Sequence, residues 1–115
     1  MKLFIGQVVQ VREDGGQEHP AVVMEIREDL ARVVGGTSHG SHRGLEPTPR
    51  KVRHVVVEAN TPSSRSMGLP SKTFFYADWF RWERPDRFRM KGSCRPEVLM
   101  ELQELDPLRE PKEEA

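Results

Sequence analysis

The chain has 115 residues, no net formal charge, and 36% hydrophobic against 31% charged residues. That composition allows one compact domain around a small core and leaves little room for a second. Cys94 is its only cysteine, which excludes an intrachain disulfide and a zinc site built from cysteines.

The neutral total argues against indiscriminate attraction to nucleic acid, but the charge is unevenly spread. Bases dominate residues 50–95 and acids dominate residues 96–115, so a basic face is compatible with a neutral sum. No run approaches the ~20 apolar residues that span a bilayer. The opening Met1-Lys2-Leu3-Phe4-Ile5-Gly6 lacks the apolar stretch of a secretory signal. A cytoplasmic, reducing setting without membrane contact is expected.

In chain order, Gly6 precedes a β-branched strand at Gln7–Arg12, and Glu13-Asp14-Gly15-Gly16 supplies a turn in which glycine tolerates positive φ. Pro20 then opens a strand through Ile26, since proline is tolerated at a strand's first residue. A polar turn at Arg27-Glu28-Asp29 leads into Leu30–Val34, and the three runs form an antiparallel meander. Residues 35–51 are loop-like. Val52–Glu58 is a fourth strand, Asn60–Ser71 a second loop, and Thr73–Phe80 a fifth strand rich in aromatics. Short strands with long polar loops predict a small, partly open barrel. Val98, Leu99, Leu102 and Leu105 then share one helical face that begins near Pro96 and stops at Pro107. The expected domain is residues 1–106, followed by a charged flexible tail at 107–115.

This order of motifs resembles the PemK/MazF family of toxin endoribonucleases. Its parts here are Gly6, Gly15-Gly16, His19-Pro20-Ala21, Thr37-Ser38, Gly68-Leu69, Asp78 and the helix from Pro96. The likeness spans about residues 6–105, and the order of these short motifs carries more than any one of them. It implies an SH3-like barrel with a C-terminal helix, usually a homodimer held in check by an antitoxin protein. The implied activity is metal-independent cleavage of single-stranded RNA by the RNA's own 2′-hydroxyl, leaving a 2′,3′-cyclic phosphate. The family has arginine before the strand proline, where this chain has His19. Imidazole lacks the permanent, bidentate charge of guanidinium but exchanges protons near neutrality.

The candidate catalytic set is therefore Glu18, His19, Thr37 and Ser38. Glu18 orients His19 or acts as the base, and the hydroxyls bond a non-bridging phosphate oxygen. Arg43, Arg50, Lys51 or Arg53 supplies the missing positive charge, and Asp78 and Arg81 join the RNA-binding surface. Arg81, Arg84, Arg87, Arg89, Lys91 and Arg95 interleave with Trp79, Phe80, Trp82 and Phe88, a pattern for stacking bases between phosphate contacts. The same pattern also describes a core layer beneath a solvated basic face, with Glu83 and Asp86 paired to nearby arginines. His39, His42 and His54 match no metal-ligand spacing, and no phosphate-binding glycine loop occurs, so no cofactor is expected. Two other readings stand beside the nuclease: a non-catalytic barrel that binds RNA or a protein partner, and an interaction module that docks through its acidic tail.

Overall fold

The computed structural model describes residues 2–13, 15–38 and 52–108. Within them lie six strands, two α-helices and one 3-10 turn: β1 (Gln7–Arg12), β2 (Glu18–Arg27), β3 (Leu30–Thr37), β4 (His54–Val57), α1 (Pro62–Met67), β5 (Thr73–Glu83), the 3-10 turn Pro85–Arg87, β6 (Phe88–Ser93) and α2 (Pro96–Leu105). All strand pairs are antiparallel in one six-stranded sheet of order β4-β5-β3-β2-β1-β6. The chain is mainly β with a C-terminal helix. Among the described residues β4 and β6 stand at opposite ends of the sheet, and no ladder joins them into a closed barrel.

The central strands owe their burial to paired valines. Val8-Val9, Val22-Val23 and Val33-Val34 are all fully buried, and consecutive strand residues point to opposite faces. Both faces of β1–β3 are therefore covered, which explains the near-continuous apolar runs. On one face Val8, Val22, Val34 and Phe75 pack with Val98, Leu102 and Leu105 of α2 and with Met67 and Leu69 at the end of α1. On the other, Val9, Val11, Ala21, Val23, Ala31 and Val33 form a second cluster closed by Phe88 and Leu3.

The expected meander of the first three strands is present. Gly15 and Gly16 take φ of +92° and +87°, and the turn closes through Glu13 N–H to Gln17 O at 2.6 Å. The boundaries elsewhere need correction. Residues 35–37 belong to β3 rather than to a loop, and β4 is shorter than Val52–Glu58. The expected loop Asn60–Ser71 contains α1. There Thr61 and Ser64 form a reciprocal capping box, Pro62 opens the helix and Gly68 ends it at φ +71°. Proline and glycine are common in loops, but at these two positions they mark a helix start and stop. β5 runs on to Glu83, and β6 is a strand that its charged sequence conceals.

Candidate active site

Two clefts arise where β3 leaves its neighbours. Pairing of β2 with β3 ends at Ala21↔Gly35, while β2 stays paired to β1 through Gln10↔Pro20, Val11↔His19 and Arg12↔Glu18. Pro20 has no N–H to offer to β3, so the start of β2 and the end of β3 separate. On the other side of β3, the ladder with β5 jumps from Val34↔Phe80 to Gly36↔Phe75, so the four residues Tyr76–Trp79 stand opposite Gly35 alone. Glycine is required at Gly36, where a Cβ would lie 2.7 Å from Phe75 Cε1.

The first cleft, about 340 Å³, lies between the start of β2 and the end of β3. Glu18, His19, Thr37 and Ser38 all line it, so the four expected catalytic residues are brought together. Glu18 is exposed; His19, Thr37 and Ser38 are half-buried. The Glu18 carboxylate is 3.2 Å from Arg89 Nη2, an exposed pair of small net energy.

Of the lining residues outside the expected catalytic set, Lys91 and Gln10 bear on its chemistry. Lys91 enters from β6. The β1–β6 register passes from Val8↔Gly92 to Val9↔Met90, which makes Lys91 the extra residue of a β-bulge. Such bulges re-aim a side chain. This one is seated on α1: a Cβ on Gly68 would fall 2.6 Å from Lys91 O, and one on Gly92 2.3 Å from Ser66 O. Ser66 Oγ also donates to Ser93 O at 2.7 Å. Gln10 is the other addition. Its Oε1 is buried without a hydrogen-bond partner among the described residues, and Gln10 lines the same cleft. An orphaned buried acceptor is uncommon and calls for a donor. In the sequence Lys91 is marked only as one base of the basic aromatic run and Gln10 not at all, because their places in this cleft depend on pairing between distant strands.

The second cleft, about 490 Å³, opens at the β5 bulge and is lined by Glu13, Gln17, His19, Gly35, Gly36 and Asp78 to Arg81. The expected RNA-binding residues Asp78 and Arg81 thus lie in a different cleft from Thr37 and Ser38, and His19 lines both. Arg81 is held between carboxylates: Nη2 donates to Glu13 at 2.6 Å and Nε to Glu83 at 2.7 Å. The expected pairing of Glu83 with an arginine is therefore present.

The basic aromatic stretch divides between roles. Phe88 is core, Arg32 stacks 4.7 Å from the Phe80 ring centre, and exposed Trp82 lies under Arg27 at 5.5 Å. Arg43, Arg50 and Lys51 lie outside the described residues, as do His39 and His42. Among the described residues no group of three or more His, Cys, Asp or Glu is placed to hold a metal ion, and no helix is long and apolar enough to cross a membrane. The sequence matches no protein-family model and no curated protein.

Proposed function

We propose that this chain is a toxin-like endoribonuclease that cleaves single-stranded RNA. The observation that carries the reading is the convergence of Glu18, His19, Thr37, Ser38 and Lys91 on one cleft. In the proposed reaction the 2′-oxygen bonds to phosphorus and the P–O5′ bond breaks, giving a 2′,3′-cyclic phosphate and a 5′-hydroxyl. His19 takes the proton of the 2′-hydroxyl, with Glu18 as the alternative base, and solvent protonates the departing 5′-oxygen. Thr37 and Ser38 donate to the non-bridging oxygens. The Lys91 ammonium supplies the positive charge that an arginine before the strand proline gives the PemK/MazF family. The SH3-like barrel, homodimer and antitoxin partner that the resemblance implies, and the cytoplasmic setting expected from the composition, belong to the same proposal.

The test is incubation of the purified protein, in chelator, with mixed-sequence single-stranded RNA. Multiple-turnover cleavage that leaves cyclic phosphate ends and is lost in His19→Ala and Thr37→Ala is the expected result. A second reading, a non-catalytic barrel that binds RNA or a protein partner, is favoured by His19 standing where the family has arginine. Salt-sensitive RNA binding without cleavage would replace the first reading with this one.

A further inference from the structure

Met90 stands on β6 next to the extra residue Lys91, and its thioether partners a group from the core. The Gln7 side chain is fully buried, and its Oε1 accepts from Phe4 N–H at 3.1 Å. That bond orients the amide and turns Nε2 toward Met90, where it donates to Sδ at 3.0 Å. Met90 is nevertheless 48% exposed, so the residue that satisfies a buried donor is also open to solvent. A thioether is only a weak acceptor, and a flexible side chain carries it. Of the other described methionines, Met67 is fully buried, Met24 is half-buried against the core, and Met100 is 61% exposed on α2.

We propose that Met90 is a site of reversible oxidation by peroxides that acts on the first cleft through Lys91. In that step a sulfur lone pair attacks one peroxide oxygen and the O–O bond breaks. Sulfur loses two electrons and keeps that oxygen as a sulfoxide. The other oxygen leaves as water with both protons of hydrogen peroxide. The sulfoxide oxygen is a better acceptor than the thioether and takes over the Gln7 N–H. Seating an oxygen there at ordinary hydrogen-bond length makes the sulfur withdraw by roughly 1 Å. Gln7 is held by Phe4 and paired with Ser93, so the displacement falls on Met90. Met90↔Val9 is the rung beside the bulge, where the ladder is already disrupted, and Lys91 moves with it. The effect on RNA rests on the reading above; the oxidation itself does not.

The experiment uses the full chain carrying Met100→Leu, which leaves Met90 as the most exposed methionine among the described residues. Hydrogen peroxide is the oxidant, and peptide mass spectrometry locates each sulfoxide. Met90 should oxidise at least about tenfold faster than Met24 and Met67, because attack requires access to the sulfur. Lys91 is then read without RNA, by its rate of acetylation with acetic anhydride. That rate should rise on oxidation at Lys91 and stay constant at Lys72. Affinity for single-stranded RNA should fall about tenfold, the value of one hydrogen bond to a charged group. Methionine sulfoxide reductase should reverse both changes. Met90→Leu should show neither, with an unchanged circular dichroism spectrum. Oxidation of Met90 no faster than that of Met67 would overturn the proposal, as would a Met90 sulfoxide that leaves Lys91 reactivity unaltered. So would an RNA affinity that stays constant while Lys91 reactivity changes. A peroxide-sensitive Lys91 in a protein that binds no RNA in either state would keep the oxidation site and remove the RNA reading.

Discussion

Arg81 Nη2 donates to Glu13 Oε1 at 2.6 Å, joining residues 68 positions apart in the chain. This contact ties β5 to the end of β1 across the mouth of the second cleft, and Glu83 holds the same guanidinium from the other side at 2.7 Å. Arg81 is thereby fixed in orientation as well as in place.

The Arg81–Glu13 pair should contribute little to stability, because both side chains are 34% exposed. Glu13→Gln is expected to lower the free energy of unfolding in urea by less than about 1 kcal/mol, and the difference should shrink at high salt. A loss well beyond that would mean that the pair is better shielded from water than its exposure implies.

Arg32 and Asp106 present the opposite case. Their side chains are 5% and 15% exposed, with Nη1 and Oδ2 2.5 Å apart, and the pair pins the end of α2 to β3. Asp106→Asn leaves a buried guanidinium without its counter-charge and should cost on the order of 3 kcal/mol. Replacing both residues, Arg32→Met with Asp106→Leu, should cost less than the single change. Urea unfolding of the three proteins checks the order.

Lys91 and Gly92 test the bulge in β6. Lys91→Gln should lower RNA affinity and reduce the slope of log affinity against log salt by roughly 0.7, the value for one contact to a single-strand phosphate. Lys91→Arg should restore the slope. Gly92→Ala places its Cβ 2.3 Å from Ser66 O and 2.8 Å from Met67 C. It should cost on the order of 1–3 kcal/mol of stability through overpacking and weaken RNA binding by moving Lys91. Fluorescence anisotropy over a salt series reads both variants.

Cys94 supplies a pH dependence. Burial raises its thiol from 9.0 to about 12. Between those values the folded protein retains a proton that the unfolded chain has lost, so this contribution is fully present below pH 9.0 and lost as pH rises toward 12. Wild type should therefore weaken with rising alkalinity more steeply than Cys94→Ala when urea midpoints are compared. Iodoacetamide should also modify the native thiol far more slowly than the same thiol in urea.

The candidate site was partly legible in the sequence. Glu18-His19-Pro20 and Thr37-Ser38 stand out as polar segments at strand ends, and antiparallel pairing of β2 with β3 puts those ends at the same edge of the sheet. Lys91 is visible there only as one base in a charged run. Its place in the first cleft depends on β6 pairing with β1, far away in the chain, and on one unpaired residue in that ladder. Arg81 and Asp78 read as one surface with Thr37, yet the β5 bulge turns them into another cleft.

What the sequence determined by itself was local. Adjacent valines called for strands, Gly15-Gly16 for a turn, and the spacing of Val98, Leu102 and Leu105 for a helix with one buried side. Such signals act over a few residues, where backbone sterics and hydrophobic periodicity decide the outcome. Only the tertiary structure decided that the sheet ends in β4 and β6, that both faces of β1–β3 are buried, and that Gln10 and Lys91 meet the expected site residues. Strand register and bulges are settled by contacts between distant segments, and a one-residue slip sends a side chain to the opposite face.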